Sequence, residues 1–131
     1  MSDKPSRYAS WTTGKLPLTE LQEMKRRGEK IVMVTAYDAP SGRLADAAGV
    51  DLILVGDSSG MVVHGRESTV PVSLDEIVFM TQWVSRGAAR SIVVGDMPFG
   101  SYEVSDEEAR KKYPQGYKTL KPYLRTVAQP K

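Results

Sequence analysis

The sequence predicts an α/β fold built around a parallel β-sheet. Three short apolar runs rich in β-branched residues, at 31–38, 51–57 and 91–100, have the composition of buried strands. The segments between these runs carry the periodicity and the end signals of helices. Because strands that alternate with helices are joined by right-handed crossovers, the three strands are expected to be parallel and buried on both faces.

The first 30 residues come before the predicted sheet. Residues 1–17 are rich in Ser, Thr, Lys and Pro and show no periodicity, so we expect a mobile or loosely docked arm. The next stretch, LTELQEMKRRGEK, predicts a short helix that Thr19 caps and Gly28 ends. Three apolar residues lie on one side of this helix: Leu18, Leu21 and Met24.

Two crossover helices connect the predicted strands. The first lies in SGRLADAAGV, is rich in Ala, and has Gly49 as its expected C-cap. The second covers 73–88, where Ser73 and Glu76 form a capping box. Its core-facing stripe is expected to contain Ile77, Met80 and Val84.

The segment after the third strand is interrupted. SDEEARKK predicts a new helix start with Ser105 and Glu108 as its capping pair. Pro114, Gly116 and Pro122 then break the pattern, so no fourth strand is predicted. From residue 110 to the end there are Lys and Arg side chains but no Asp or Glu, which predicts a basic, solvated tail.

Composition excludes several classes of protein. A length of 131 residues with 40% hydrophobic and 26% charged residues is typical of one folded unit and excludes a disordered chain. A net charge of +2 is too small to predict a nucleic-acid or membrane partner. The absence of cysteine excludes disulfides and Cys-ligated zinc, and no apolar segment has the length of a signal sequence or a membrane span. We therefore expect a cytoplasmic protein.

The phrase Val-Gly-Asp closes both the second and the third predicted strand. It places Asp57 and Asp96 at the carboxyl ends of strands, the edge of a parallel sheet where sites are built. If the strands are neighbours, about 4.8 Å apart, the two carboxylates lie within reach of one hard cation such as Mg²⁺. Ser58 offers a hydroxyl and an N–H to an anion at the same edge. The alternative, that each aspartate caps the next helix, stays open.

Four other side chains are weaker candidates. His64 is the single histidine and is expected to have a surface or packing role. Arg66 lies in a loop, where it meets either an anion or solvent. Tyr37 and Asp38 end the first strand, and Asp38 is expected to cap the following helix rather than bind a metal.

Taken together, the motifs resemble a known enzyme family. TAYD, VGDS-x-GMV-x-x-G, ST-x-PV and D-x-PFGSY occur in this order, and the segment 18–110 resembles the N-terminal part of ketopantoate hydroxymethyltransferases (3-methyl-2-oxobutanoate hydroxymethyltransferases). The resemblance implies a partial (β/α)8 TIM barrel of the phosphoenolpyruvate/pyruvate superfamily, with about three of its parallel strands present. It also implies a homo-oligomer. In this chain, the segment that resembles the family is preceded by the arm 1–17 and followed by a tail, 111–131, that is unlike the family.

The same resemblance implies roles for the strand-end residues. Asp57 and Asp96 correspond to residues that bind Mg²⁺ and approach the substrate, and Ser58 corresponds to a residue that contacts the 2-oxo acid. The implied reaction transfers a hydroxymethyl group from 5,10-methylenetetrahydrofolate to 3-methyl-2-oxobutanoate. Its product is ketopantoate, an intermediate of pantothenate and coenzyme A biosynthesis.

The chain departs from the family pattern after residue 110. The family's later lysine, its glutamate near the metal and its glutamate general base have no counterpart, so no catalytic residue is assigned. We expect the isolated chain to be inactive. The alternative is a non-catalytic fragment that self-associates or binds an intact homologue. A flavodoxin-like nucleotide binder is disfavoured, because no Gly-x-Gly-x-x-Gly or Gly-Lys-Ser/Thr loop is present.

Overall fold

The computed structural model describes residues 14–101 together with Glu107. Within them, three strands form one parallel sheet in the order β1-β2-β3, which confirms the predicted α/β class and the adjacency of the second and third strands. The elements in chain order are α1 (Leu18–Arg26), β1 (Met33–Thr35), α2 (Ala39–Ala47), β2 (Leu52–Val55), α3 (Ser59–Val62), α4 (Leu74–Gly87) and β3 (Ile92–Gly95).

Strand β2 is central and contributes the middle of the core. Its residues alternate in burial: Ile53 and Val55 are fully buried, while Leu52 and Leu54 are half-buried. In-register partners in a parallel sheet point to the same face, and Val55 pairs with Gly95, which lies against Thr81 of α4. Helices therefore cover the face that carries Ile53 and Val55.

Helix α4 supplies the other half of this core. Its predicted capping box is confirmed, with the Glu76 N–H donating to Ser73 Oγ and the Ser73 N–H donating to the Glu76 carboxylate. Its predicted stripe is confirmed as well, because the buried residues of α4 are Ile77, Met80 and Val84. Burying one such side chain contributes about 1.5–3 kcal/mol to stability.

Helices α2 and α4 pack closely because glycines lie where they meet. A Cβ on Gly42 would lie 2.9 Å from the carbonyl oxygen of Val84, and a Cβ on Gly87 would overlap the carbonyl oxygen of Ala39. Backbone therefore packs against backbone at both points. Larger residues at 42 or 87 would separate the two helices and uncover the core beneath them.

The prediction that all three strands are buried on both faces is wrong, because helices cover one face of the described sheet, and the largest departure is in β1. Its residues are exposed, and the apolar run leading into it, Ile31 to Val34, is 37–50% exposed. Position contributes to this: β1 and β3 are the two edge strands of the described sheet and each pairs with β2 alone, so neither has the strand neighbours on both sides that help to bury β2. The three strands are also shorter than their apolar runs.

The amino-terminal region also differs from expectation. The N-cap of α1 is Pro17, without a side-chain cap, and Thr19 lies inside the helix. Leu16 is 4% exposed and its N–H donates to the Arg90 carbonyl, while Lys15 Nζ donates to the carbonyl of Ala88. The last residues of the predicted arm are therefore docked on the folded body.

Some predicted features lie outside the described residues. These are most of the arm, the capping pair Ser105 and Glu108, and the basic tail. Helix α3, which had not been predicted, is one turn between β2 and α4. No helix in the described part of the chain has the length and hydrophobicity that a membrane span requires.

The contact between α2 and α4 generates the first prediction. Gly87→Ala should lower the free energy of unfolding by about 1–3 kcal/mol, because the added methyl group overlaps the Ala39 carbonyl and forces the helices apart. Urea denaturation measures the change. Ser85→Ala, at an exposed position of the same helix, is the control and should stay within about 0.5 kcal/mol of the unmodified chain. Equal stability of the two variants would contradict this account.

Candidate functional site

The carboxyl ends of the three strands carry the predicted site. Tyr37 follows β1, Asp57 and Ser58 follow β2, and Asp96 follows β3. Because the strands are parallel and adjacent, all four residues lie along one edge of the sheet. These side chains therefore lie at the same edge of the sheet, as the sequence predicts.

The two Val-Gly-Asp phrases are staggered by one residue. Val55 pairs with Gly95, not with Val94, and the Asp96 N–H donates to the Val55 carbonyl at 2.8 Å. Asp96 is therefore level with Gly56, and Asp57 lies one residue further along. Sequence repetition suggested equivalent positions, but register is set by the packing of the strands, which the repeat does not encode.

Gly56 opens a space between two polar side chains. A Cβ at this position would lie 3.6 Å from Asp96 Oδ2 and 3.7 Å from Ser58 Oγ. These are ordinary van der Waals distances, so a methyl group would fill the space without a clash. With glycine there, the space is bordered by the Asp96 carboxylate and the Ser58 hydroxyl.

A hydrogen bond extends this arrangement to β1. The Tyr37 hydroxyl and Ser58 Oγ are 2.7 Å apart. The polar groups of Tyr37, Ser58 and Asp96 thus follow one another across the ends of β1, β2 and β3. Sequence reasoning placed Tyr37 at this edge but gave it no role, because a contact with a residue 21 positions away leaves no local signal.

The helix-capping alternative does not account for Asp57. The N-cap of α3 is Ser58 and that of α4 is Ser73. The Asp57 side chain is half-buried and makes no hydrogen bond or ion pair within residues 14–101. For Asp96, Oδ1 accepts a hydrogen bond from the Met97 N–H at 2.9 Å, whereas Oδ2 faces the space over Gly56.

The donor set at this edge suits a hard cation. Among the described residues there is no cluster of three or more His, Cys, Asp and Glu side chains that could hold a metal. Asp57 and Asp96 supply two carboxylates, the number that Mg²⁺ commonly takes from a protein while water and substrate oxygens complete its octahedron. The space over Gly56 leaves room for such oxygens, so the residues present fit Mg²⁺.

Asp38 has the structural role that its position predicted. It is the N-cap of α2, and its Oδ1 accepts a hydrogen bond from the Ser41 N–H at 2.7 Å. Hydrogen bonds from the Ser41 side chain and backbone hold the pKa of the Asp38 carboxyl below its usual value. The Asp38 carboxylate therefore has a structural role as a helix cap.

Arg66 is bound to a neighbouring carboxylate. Its guanidinium donates to Glu76 Oε1 at 2.6 Å, and His64 Nδ1 lies 3.4 Å from the same oxygen. The Arg66 hydrogen bond is the main cause that lowers the pKa of Glu76 to about 2, and hydrogen bonds from Ser73 add to it. The Arg66 side chain thus ties the loop after α3 to the first turn of α4.

Comparison with known proteins gives a consistent picture. A family model described as ketopantoate hydroxymethyltransferase matches residues 15–119, which include every predicted site residue and extend past both ends of the predicted segment. Proteins named 3-methyl-2-oxobutanoate hydroxymethyltransferase are similar to this chain in Anaeromyxobacter (57% identity), Geobacillus kaustophilus (58%) and Shouchella clausii (62%). The matches cover 74%, 70% and 66% of this chain and 33%, 33% and 31% of these relatives. The chain thus spans about a third of the length of the curated relatives it matches.

The loop that Arg66 ties to α4 generates the second prediction. Glu76→Gln should destabilise the protein at neutral pH, and the difference should vanish on acidification. The folded pKa of Glu76, about 2, lies below its ordinary value of 4.5, so its contribution to stability is complete above that value and is lost as the pH falls through the folded pKa. Urea unfolding measures the trend, in which the difference is constant above about pH 6 and shrinks steadily from about pH 4.5 toward about pH 2.

Glu67→Gln is the matched control for this experiment, since Glu67 is an exposed glutamate of the same loop. A pH trend that is the same in both variants would assign the effect to net charge and not to the contacts of Glu76.

Proposed function

Because this chain belongs to the ketopantoate hydroxymethyltransferase family, we propose that its strand-end edge binds a divalent cation and a 2-oxo acid for hydroxymethyl transfer. The observation that carries the proposal is the space over Gly56, bordered by Asp96 Oδ2 and Ser58 Oγ. The proposed substrate is 3-methyl-2-oxobutanoate and the proposed co-substrate is 5,10-methylenetetrahydrofolate.

Asp57 and Asp96 are the proposed ligands of Mg²⁺. Both carboxylates have oxygen atoms that could bind a metal. The Asp57 carboxylate has no partner within residues 14–101, and Oδ2 of Asp96 faces the space over Gly56. Bound there, Mg²⁺ would supply Lewis acidity toward the carbonyl oxygen of a 2-oxo acid, which acidifies the adjacent C–H group.

Ser58 is the proposed contact to the carboxylate of the substrate. It follows Asp57 directly, so a substrate held between Asp57 and Asp96 lies next to its hydroxyl. Although Ser58 is the N-cap of α3, its side chain makes no capping hydrogen bond, and its hydroxyl proton is available to a ligand when Tyr37 is the donor in the hydrogen bond between the two hydroxyl groups. A hydrogen bond to a charged carboxylate contributes about 1.5–3 kcal/mol.

The 131 residues are proposed to lack turnover when they act alone. The reaction needs a base that takes the proton from C3 before this carbon bonds to the methylene carbon of the folate. No counterpart of the family's base and lysine is assigned among these residues, and residues 111–131 contain no Asp or Glu. Loss of general-base catalysis typically costs 10²–10⁴-fold in rate.

A second candidate function, association with another chain, is favoured by the exposed apolar surface. The outer face of α4 carries Val78, Phe79 and Trp83, which are 43–56% exposed. The edge strand β1 is unpaired on its outer side among the described residues and is apolar. Such surface favours self-association, or binding to an intact homologue.

The third prediction concerns binding at the strand-end edge. In the unmodified chain, Mg²⁺ should be required for binding of 3-methyl-2-oxobutanoate in isothermal titration calorimetry. Asp57→Asn and Asp96→Asn should each weaken the binding of Mn²⁺, measured by water proton relaxation, about tenfold or more, because each removes one of two anionic ligands.

Two further variants make this test specific. Gly56→Ala should abolish binding of the acid while it leaves the unfolding free energy nearly unchanged, since its methyl group fits without a clash. Asp75→Asn removes an exposed carboxylate from the first turn of α4 and should leave both affinities unchanged. Binding that survives in Gly56→Ala or in both aspartate variants would place the ligands elsewhere.

The fourth prediction separates the two candidate functions. In sedimentation velocity, the 131-residue polypeptide should form species larger than a monomer, because its apolar surfaces are exposed. It should show no hydroxymethyl transfer when it is supplied with Mg²⁺, the acid and methylenetetrahydrofolate, whereas the Geobacillus kaustophilus relative serves as the active reference. A monomer at all concentrations would contradict association, and turnover by the polypeptide alone would contradict the proposed lack of activity.

A further inference from the structure

We propose that Tyr37 is a positioning residue that orients the Ser58 hydroxyl toward the bound 2-oxo acid. The inference rests on the proposed function, because it concerns the same site. It adds a residue that follows β1 to a site otherwise built from the ends of β2 and β3. Tyr37 itself does not touch the reacting atoms and acts through Ser58.

The position of Tyr37 is fixed by its surroundings. Its ring packs against the buried core cluster, and the residue is half-buried. The next residue, Asp38, is held in the capping box of α2, and the Tyr37 N–H itself donates to Ser41 Oγ. A side chain anchored at both its ring and its backbone holds its hydroxyl in one place with little further loss of entropy.

The chemistry of the two hydroxyl groups gives the hydrogen bond a direction. Tyr37 Oη and Ser58 Oγ are 2.7 Å apart, and either could donate. A phenol is more acidic than an aliphatic alcohol and is therefore the better donor. With Tyr37 donating, Ser58 Oγ is the acceptor and keeps its own proton for a second partner.

The second partner is expected in the space over Gly56. Ser58 Oγ borders this space at 3.7 Å from the position of a Cβ on Gly56, and α3 does not use the hydroxyl as a cap. An accepted hydrogen bond polarises the hydroxyl and strengthens the one it donates. Tyr37 thereby fixes the orientation of Ser58 and raises its strength as a donor to a carboxylate.

A double-mutant cycle tests the inference. Tyr37→Phe should weaken binding of 3-methyl-2-oxobutanoate at saturating Mg²⁺ by about three- to tenfold, the effect of one lost hydrogen bond. Ser58→Ala should weaken it at least as much. Tyr37→Phe introduced into Ser58→Ala should have no further effect, because its path to the ligand is already broken.

Metal affinity distinguishes positioning from general damage to the site. In Tyr37→Phe, Mn²⁺ binding without the acid should stay as in the unmodified chain, since the proposed metal ligands are untouched. Ser85→Ala, a hydroxyl deletion on the exposed surface of α4, is the matched control and should change neither affinity.

The outcomes separate the two proposals. If the unmodified chain binds the acid and Tyr37→Phe binds it equally well, or if the two substitutions are additive, the positioning role is overturned and the proposed function stands. A parallel loss of Mn²⁺ binding in Tyr37→Phe would also overturn it. If the unmodified chain binds neither Mn²⁺ nor the acid, both proposals are overturned.

Discussion

The register between β2 and β3 is the constraint on which the rest of the structure depends. Pairing Val55 with Gly95 buries Ile53 and Val55 under the helices and brings Asp96 level with Gly56. A slip of one residue would turn the apolar side chains of β3 away from the core and move the Asp96 carboxylate away from the space it borders. The energy that holds the core together is thus the same energy that positions the site.

Features encoded by neighbouring residues could be predicted from the sequence. The capping box of Ser73 and Glu76, the cap at Asp38 and the buried stripe of α4 all depend on residues within a few positions of each other. The alternation of strand and helix, and with it the parallel sheet, follows from the same local patterns. The family signatures lie in this region too, so fold class and candidate residues were accessible together.

Features that depend on distant residues could not be predicted. The stagger of the two Val-Gly-Asp phrases is decided by strand pairing, and the Tyr37–Ser58 contact joins residues 21 positions apart. The exposure of β1 is a property of its neighbours and not of its sequence, which is as apolar as that of β2. In α1, the N-cap is Pro17, whose backbone is extended, so the helix starts two residues earlier than a cap at Thr19 would place it.

The described aspartates fall into two groups, those whose carboxylates accept hydrogen bonds from backbone N–H groups and those whose carboxylates do not. Asp38 caps α2, Asp51 is fully buried and accepts from the Val32 N–H, and Asp46 accepts from the N–H groups of three consecutive residues, 89–91. Burial opposes ionisation of Asp46, but the hydrogen bonds from Ser91 and its neighbours prevail and hold its pKa below the usual value. No backbone group within residues 14–101 uses the carboxylate of Asp57 or of the exposed Asp75 in α4, and of these two only Asp57 lies at the ends of the strands.

Assembly and chemistry are connected at the open face of the sheet. Within residues 14–101, helices cover one face, while Leu52, Leu54, Ile92 and Val94 on the other face are half-exposed. The strand ends that carry Asp57 and Asp96 border this face, so water reaches both. Water weakens the electrostatic interactions of a site through its high dielectric constant. Any element that buries the open face, whether from a longer chain, a second copy or a homologue, would therefore also exclude water from the site and strengthen the proposed binding of a cation.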